Sequence, residues 1–357
     1  MRFNRRDRAF FVSKSANLTE SGKRLTVFCL FTLFNPRNNS NHGGGLSLRN
    51  PVSPKGTTME TRDTEQKEIT EKFINQAIEG HRAHDLSWKR IPGFNVSVLE
   101  KDAVNRSCFY TLSMAVIFQG EKIVDVGDNQ YQYGGGSMIV TSVEIPTSYR
   151  ILNASPEHPF VSASMKLDRA LLAEIMGEIS GKKEFPPSED SNAFCVARTP
   201  VQISDCFLRL LRLADHPEDM DFVFPCIQRE LHYFALTDPQ CSNLRELCTG
   251  GLPSNRVSKA VEWLKQHYKE PIRIQELADM VYMSSSTFHN HFKNVTSLTP
   301  LQYQKRLRLH EAKRLMITES YNASSAAFEV GYESVQQFNR EYKRLFGKPP
   351  VQDVSGS

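Results

Sequence analysis

Apolar positions change their period several times along the chain. Ile69, Phe73, Ala77 and Ile78 fall at i, i+4, i+8 and i+9 and are followed by Gly80, which predicts a helix ending at that glycine. From Phe94 to Leu167 the pattern shortens to strands, predicted over 94–99, 109–119, 122–126, 129–133, 137–143, 149–153 and 160–167. Gln119-Gly120-Glu121, Gly127-Asp128-Asn129 and Gly134-Gly135-Gly136 are turn sequences at the spacing of an antiparallel sandwich or small barrel. Such a barrel has a mouth able to hold one small ligand. Helical period returns over 167–179, 201–214 and 222–236, with a Pro- and Ser-containing loop at 186–191. The last two helices are amphipathic, and their apolar stripes fit either a core or a dimer face.

The C-terminal hundred residues carry a repeat. Tyr282, Ser284, Phe288, Phe292 and Lys293 recur 50 positions later as Tyr332, Ser334, Phe338, Tyr342 and Lys343. A repeated unit of this length is one supersecondary element used twice. Each copy reads as helix, turn, helix. The first helices carry Ile274, Leu277, Ala278 and Val281, and Ala326, Ala327 and Val330; Ser284 and Ser334 are placed to cap the second helices. A longer helix over 301–317 spaces the two units. With Phe288 and Phe292, and Phe338 and Tyr342, turned inward, Ser285, Ser286, His289, Asn290 and Lys293 remain outside in the first copy. Gln336, Gln337, Asn339, Arg340, Lys343 and Arg344 remain outside in the second. Asn, Gln and Arg can make paired hydrogen bonds to base edges in the major groove, while Lys, Arg and free helix N-termini suit phosphates. One polar helix face is ordinarily just solvated; two copies at fixed spacing point to DNA.

Charge sharpens this division. The 357 residues hold 44 Lys+Arg and 40 Asp+Glu, yet residues 1–58 carry 10 basic and 2 acidic side chains. Residues 59–251 carry 19 and 28, and residues 252–357 carry 15 and 10. A net acidic middle therefore joins a net basic end, as expected when only the latter seeks nucleic acid. The length suits about two domains, and the composition excludes a collagen, a coiled-coil rod and a fully disordered chain. No apolar run approaches the roughly 18–20 residues of a membrane-spanning helix. The expected domains are 1–58, a disordered or non-native extension; 59–251, an effector-sensing and dimerisation domain; and 252–357, a DNA-binding domain. The apolar decade from Leu25 to Phe34 has about two dozen residues before it and no small-x-small site after it, unlike a signal peptide, so the expected location is the cytoplasm.

The candidate chemistry is sparse. The strand region offers only His158, and His81 and His84 lie outside it, so no metal or cofactor is expected and no catalytic residue stands out. A metal-dependent cupin-type enzyme with a DNA-binding appendage is the alternative. The seven cysteines form no Cys-x-x-Cys pair, a pattern of reduced thiols in a cytosolic chain. A redox sensor built on Cys241 and Cys248, the only close pair in sequence, competes with the reading of buried, inert thiols.

The C-terminal part resembles the AraC/XylS family of bacterial transcription regulators. Ile274-Gln-Glu-Leu-Ala278, Met283-Ser-Ser-Ser-Thr-Phe-His289, Thr299-Pro300, Arg306-Leu-Arg308, Gly331-Tyr-Glu-Ser334, Phe338, Arg340 and Phe346-Gly347-Lys-Pro349 carry the resemblance over roughly 255–350. The middle is similar to the cupin-like N-terminal domain of one AraC branch, through Val116-Ile-Phe-Gln-Gly-Glu-Lys122, Tyr131-Gln-Tyr133, Pro146 and Ala154-Ser-Pro-Glu-His-Pro159. The implied fold is α+β: an N-terminal cupin-like antiparallel β-barrel with flanking helices, then a C-terminal all-α double helix-turn-helix domain. The implied partners are double-stranded promoter DNA, RNA polymerase, a small-molecule effector and a second copy of the chain. By position, Ser286, His289 and Asn290 become base readers of the first unit, and Gln336, Gln337, Asn339 and Arg340 those of the second. Tyr282 departs from the small residue, often Gly, that relatives carry in the first turn.

Overall fold

The computed structural model describes residues 59–127, 129–185 and 192–355; the predicted extension 1–58, Asp128 and the loop 186–191 lie outside them. The chain opens with α1 (Met59–Arg82), which passes through Gly80 instead of ending there. That glycine marks a close approach: a Cβ would stand 3.0 Å from the Trp88 ring. Phe73 of α1 stacks on Phe118 with ring centroids 3.8 Å apart.

Eight strands follow: β1 (Phe94–Leu99), β2 (Ala103–Tyr110), β3 (Ser113–Gln119), β4 (Glu121–Val126), β5 (Asn129–Gly134), β6 (Ser137–Thr141), β7 (Ile145–Leu152) and β8 (Phe160–Lys166). After α2 (Arg169–Ile179) come β9 (Phe194–Arg198), α3 (Val201–Leu213), α4 (Met220–Thr237) and α5 (Ser242–Cys248). The strands form two antiparallel sheets, ordered β1-β8-β3-β6-β9 and β2-β7-β4-β5. The expected strand 109–119 is thus two strands broken at Thr111-Leu112, and β2 and β9 are edge strands that the apolar pattern did not announce.

Side chains alternate between faces along each strand. On the five-stranded sheet, Met114, Val116, Phe118, Met138 and Val140 pack into a core with α1 to α5. Their neighbours Ala115, Ile117 and Ile139 face the four-stranded sheet, where Val124, Tyr133, Tyr149 and Ile151 join them in a second core. Lys122 is also buried on that side, with its ammonium 4.3 Å from the Tyr149 ring centroid.

The C-terminal part is all helix: α6 (Pro253–Gln266), α7 (Ile274–Met280), α8 (Ser285–Thr296), α9 (Pro300–Thr318), α10 (Ala323–Glu329), α11 (Val335–Phe346) and α12 (Pro350–Ser355). Helices α6 and α12 add to the predicted set. The second core continues from the barrel into this part through Val257, Leu264, Val295, Leu298 and Tyr303. At the seam, the Tyr303 hydroxyl donates to the Glu144 carbonyl at 2.9 Å, and Lys265 pairs with the Glu144 carboxylate at 3.0 Å. The Ala193 amide donates to the Val295 carbonyl at 2.9 Å. Among the described residues no helix is long and apolar enough to cross a membrane.

Candidate nucleic-acid interface

Two helix pairs, α7–α8 and α10–α11, present the candidate surface. In each pair the second helix starts on a serine, because a hydroxyl accepts from an amide the helix cannot otherwise satisfy. Ser284 accepts from the Thr287 amide at 3.2 Å and Ser334 from the Gln337 amide at 3.3 Å. Phe288 and Phe292 bury the inner face of α8, and Phe338, Tyr342 and Phe346 that of α11. The left-handed residues Ser297 and Gly347 close the two helices.

The two recognition helices obey the 50-residue repeat, but the turns do not. The Tyr282 amide bonds to Asp279 O and the Met283 amide to Ala278 O; the Gly331 amide bonds to Phe328 O and the Tyr332 amide to Ala327 O. Tyr282 therefore corresponds to Gly331, 49 residues on, and Met283 to Tyr332. Glu333 is an extra residue in the second turn. Both equivalent positions have positive φ, +56° at Tyr282 and +89° at Gly331. Tyr282 meets this with its ring 86% exposed and its carbonyl accepting from Arg256 at 2.7 Å.

On α8, Ser286, Asn290 and Lys293 are exposed and His289 is half-buried; their i, i+3, i+4 and i+7 spacing gathers them on one side. On α11, Gln336, Asn339, Arg340, Lys343 and Arg344 are exposed. Gln337 differs, because its amide donates to Glu341 at 3.2 Å. Glu341 also accepts from Lys305 at 2.7 Å and from the Tyr332 hydroxyl at 2.8 Å. Burial alone would raise the Glu341 pKa, but these three donors hold it below the ordinary carboxylate range. Gln337, Arg340, Glu341 and Arg344 line a shallow, open depression.

Most cations elsewhere in this part are committed, although the exposed Lys259 and Lys348 also have no ion pair among the described residues. Lys265, Lys269, Lys305, Lys313 and Arg314 pair with carboxylates. Arg308 instead donates to the carbonyls of Tyr268, Gly331, Lys269 and Glu270. By contrast Lys293, Arg340, Lys343 and Arg344 have no ion pair among the described residues, so their charge is left to the solvent side of α8 and α11. Uncommitted cations on a capped helix are what a polyanion backbone engages.

The residues tested as metal ligands are scattered. His158 and His84 are exposed in loops, and His81 lies in the last turn of α1. Among the described residues the one cluster of ligating types is His216, Glu218 and Asp219, exposed after α3 and away from the barrel strands.

Residues 90–243 match a family model described as the AraC-type transcriptional regulator N-terminus, and residues 277–353 match one described as a helix-turn-helix domain. The chain is 32% identical over 95 residues to the HTH-type transcriptional activator RhaS of Escherichia fergusonii, covering 27% of this chain and 34% of that protein. It is 30% identical over 95 residues to RhaS of Yersinia pestis, covering 27% and 35%. The match thus spans about a third of the length of these relatives. Among solved structures, ToxT of Vibrio cholerae O395 bound to (E)-4-(8-methylnaphthalen-1-yl)but-3-enoic acid is similar in fold. It has a TM-score of 0.50 at 13% identity, covering 73% of this chain and 97% of that one.

Proposed function

Because the chain belongs to the AraC-type transcriptional regulators, we propose that it controls promoters by laying α8 and α11 in successive major grooves on one face of double-stranded DNA. The observation that carries this reading is the set of unpaired cations, Lys293, Arg340, Lys343 and Arg344, on two capped helices of like construction. Ser286, His289 and Asn290 read bases from α8; Gln336, Asn339 and Arg340 do so from α11. Gln337 takes the same part once its amide leaves Glu341. Lys293, Lys343 and Arg344 hold phosphates.

Residues 59–251 act as the sensing and dimerisation domain and 252–357 as the DNA-binding domain. A small molecule held between the two sheets, or a second copy of the chain, changes how α8 and α11 meet a promoter. The outcome is activation through RNA polymerase, in the sense carried by the names of the matched relatives. The chain works in the cytoplasm and catalyses no reaction.

Selection of the preferred DNA from a random pool by the full chain, followed by footprinting, tests the reading. Two protected half-sites about 10 base pairs apart on one face are expected. No enriched sequence, or protection of a single groove, would overturn it.

A further inference from the structure

Cys195 and Cys241 stand 46 residues apart in sequence, yet their sulfurs are 3.0 Å apart. Cys195 lies on β9, the edge strand of the five-stranded sheet, and is partly exposed; Cys241 sits at the position capping α5 and is fully buried. The pair that is close in sequence, Cys241 and Cys248, spans the length of α5, about 10 Å at 1.5 Å per residue. The fold therefore replaces the partner that spacing suggests. A disulfide has its sulfurs about 2.05 Å apart, so roughly 1 Å of closure separates this contact from a covalent bond.

The two thiols are not equivalent. The two thiols share a hydrogen bond in which either sulfur can donate, and that bond, then burial, raise the Cys241 thiol well above its ordinary range. Arg245 interacts electrostatically with both sulfurs and is anchored by the carbonyls of Leu236 and Asp238 at 2.8 and 2.7 Å. Cys195, the partly exposed member of the pair and beside a cation, is the one a small oxidant meets first.

We infer that Cys195 and Cys241 are an oxidation site, converted by a hydroperoxide into a reversible intramolecular disulfide that staples β9 to the start of α5. The Cys195 sulfur attacks a peroxide oxygen, the O–O bond breaks, and the Cys195 thiol proton passes to the departing oxygen, which leaves as water (as an alcohol, from an alkyl hydroperoxide). The Cys241 sulfur then attacks the Cys195 sulfenic acid, the S–O bond breaks, and the hydroxide leaves with the Cys241 thiol proton as a further water. Two thiols lose two electrons and one hydroperoxide takes them up. Excess small thiol reverses the bond by exchange.

The position gives the bond a mechanical consequence. Helix α5 is the connector between the barrel and the C-terminal helices: Asn243 donates to the Val140 carbonyl at 3.1 Å, Ser254 donates to Glu246 at 2.6 Å, and Asn255 donates to the Leu247 carbonyl at 2.7 Å. A covalent tie at its first turn restrains one of the segments that join barrel and C-terminal helices.

The test uses the full chain treated with a small molar excess of hydrogen peroxide, alkylated, and digested without reduction. A cross-linked peptide containing Cys195 and Cys241 is expected, with two thiols lost per chain and regained on adding dithiothreitol. Cys195→Ser and Cys241→Ser should each abolish the cross-link, whereas Cys226→Ser, at an exposed thiol, should leave it unchanged. If the buried Cys241 variant fails to fold, Cys195→Ser carries the test alone. Cross-linking through a different cysteine, or oxidation of wild type without any cross-link, would overturn the assignment. Slower hydrogen exchange in α5 after oxidation is expected as well, and unchanged exchange would overturn the stapling.

Discussion

Tyr282 and Gly331 fill the same left-handed turn position with opposite residue choices, and the difference is measurable. A non-glycine residue in that region costs about 1–2 kcal/mol, and Tyr282 regains little by packing because its ring is exposed. Tyr282→Gly is expected to stabilise the fold by about 1 kcal/mol in urea unfolding, since the Arg256 contact to its carbonyl survives the change. Gly331→Ala should destabilise by about 3 kcal/mol, because a Cβ there collides with the Lys269 carbonyl as well as straining φ. The same scale decides the outward residues. Arg340→Ala should weaken binding to the preferred DNA site by about 1–3 kcal/mol and relax base preference at one position. Lys343→Ala should weaken all sequences alike and lower the salt slope by about one, which a mobility-shift series in rising salt would read. The solvent face of α11 could be read from sequence because its apolar positions leave one side over. The turn equivalence could not, because aligning Tyr282 with Tyr332 hides the extra Glu333.

Helix α9 is the element that makes one unit of two. Arg308, near its middle, reaches the carbonyls of Tyr268, Lys269 and Glu270 before α7 and that of Gly331 in the second turn. Gln304, one turn earlier, donates to the Tyr268 carbonyl at 2.9 Å and to the Glu270 carbonyl. Arg308→Ala takes the side-chain donor from the half-buried Gly331 carbonyl and from the exposed Lys269 carbonyl, while Gln304 still serves Tyr268 and Glu270, and a loss of about 2 kcal/mol is expected in chemical unfolding. Arg308→Lys should fail to restore it, since one ammonium cannot span the fork that the guanidinium covers. Elements with a continuous apolar period were legible: β1 lies where its pattern put it, and α3, α4 and α9 lie within two residues. Edge strands were not, because β2 carries Asn105-Arg-Ser107, and an edge needs fewer apolar residues than a strand between two others. Helix α6 has its signal in Val257, Ala260, Val261 and Leu264, at i, i+3, i+4 and i+7, but it lies outside the 50-residue repeat, so the repeat does not announce it.

At the scale of the molecule, the charge partition separates an acidic barrel from basic helices, yet the structure joins them through one continuous core. Residues such as Ile145, Leu298 and Tyr303 read as ordinary interior, and nothing in an apolar residue tells which other part of the chain covers it. His310 of α9 marks this seam: its ring lies 4.7 Å from Phe109 of β2 and 5.2 Å from Phe346 of α11. The residue is half-buried, but its Nε2 is enclosed without a hydrogen-bond partner among the described residues. Burial first, then the charges of Lys313 and Arg306, push its pKa down to about 3 from an ordinary 6.5. The folded state therefore binds this proton less readily than the unfolded chain. The stability from keeping His310 neutral is fully present above pH 6.5 and falls away as the pH drops toward 3, by about 1.4 kcal/mol per unit. Lowering the pH from 7 to 5 should thus remove about 2 kcal/mol through this residue alone. His310→Phe keeps an aromatic ring between Phe109 and Phe346 and has no proton to gain. Its stability relative to wild type should therefore rise by that amount between pH 7 and pH 5 in paired urea titrations. A difference between the two proteins that is the same at both pH values would show that His310 does not hold the seam in its neutral form.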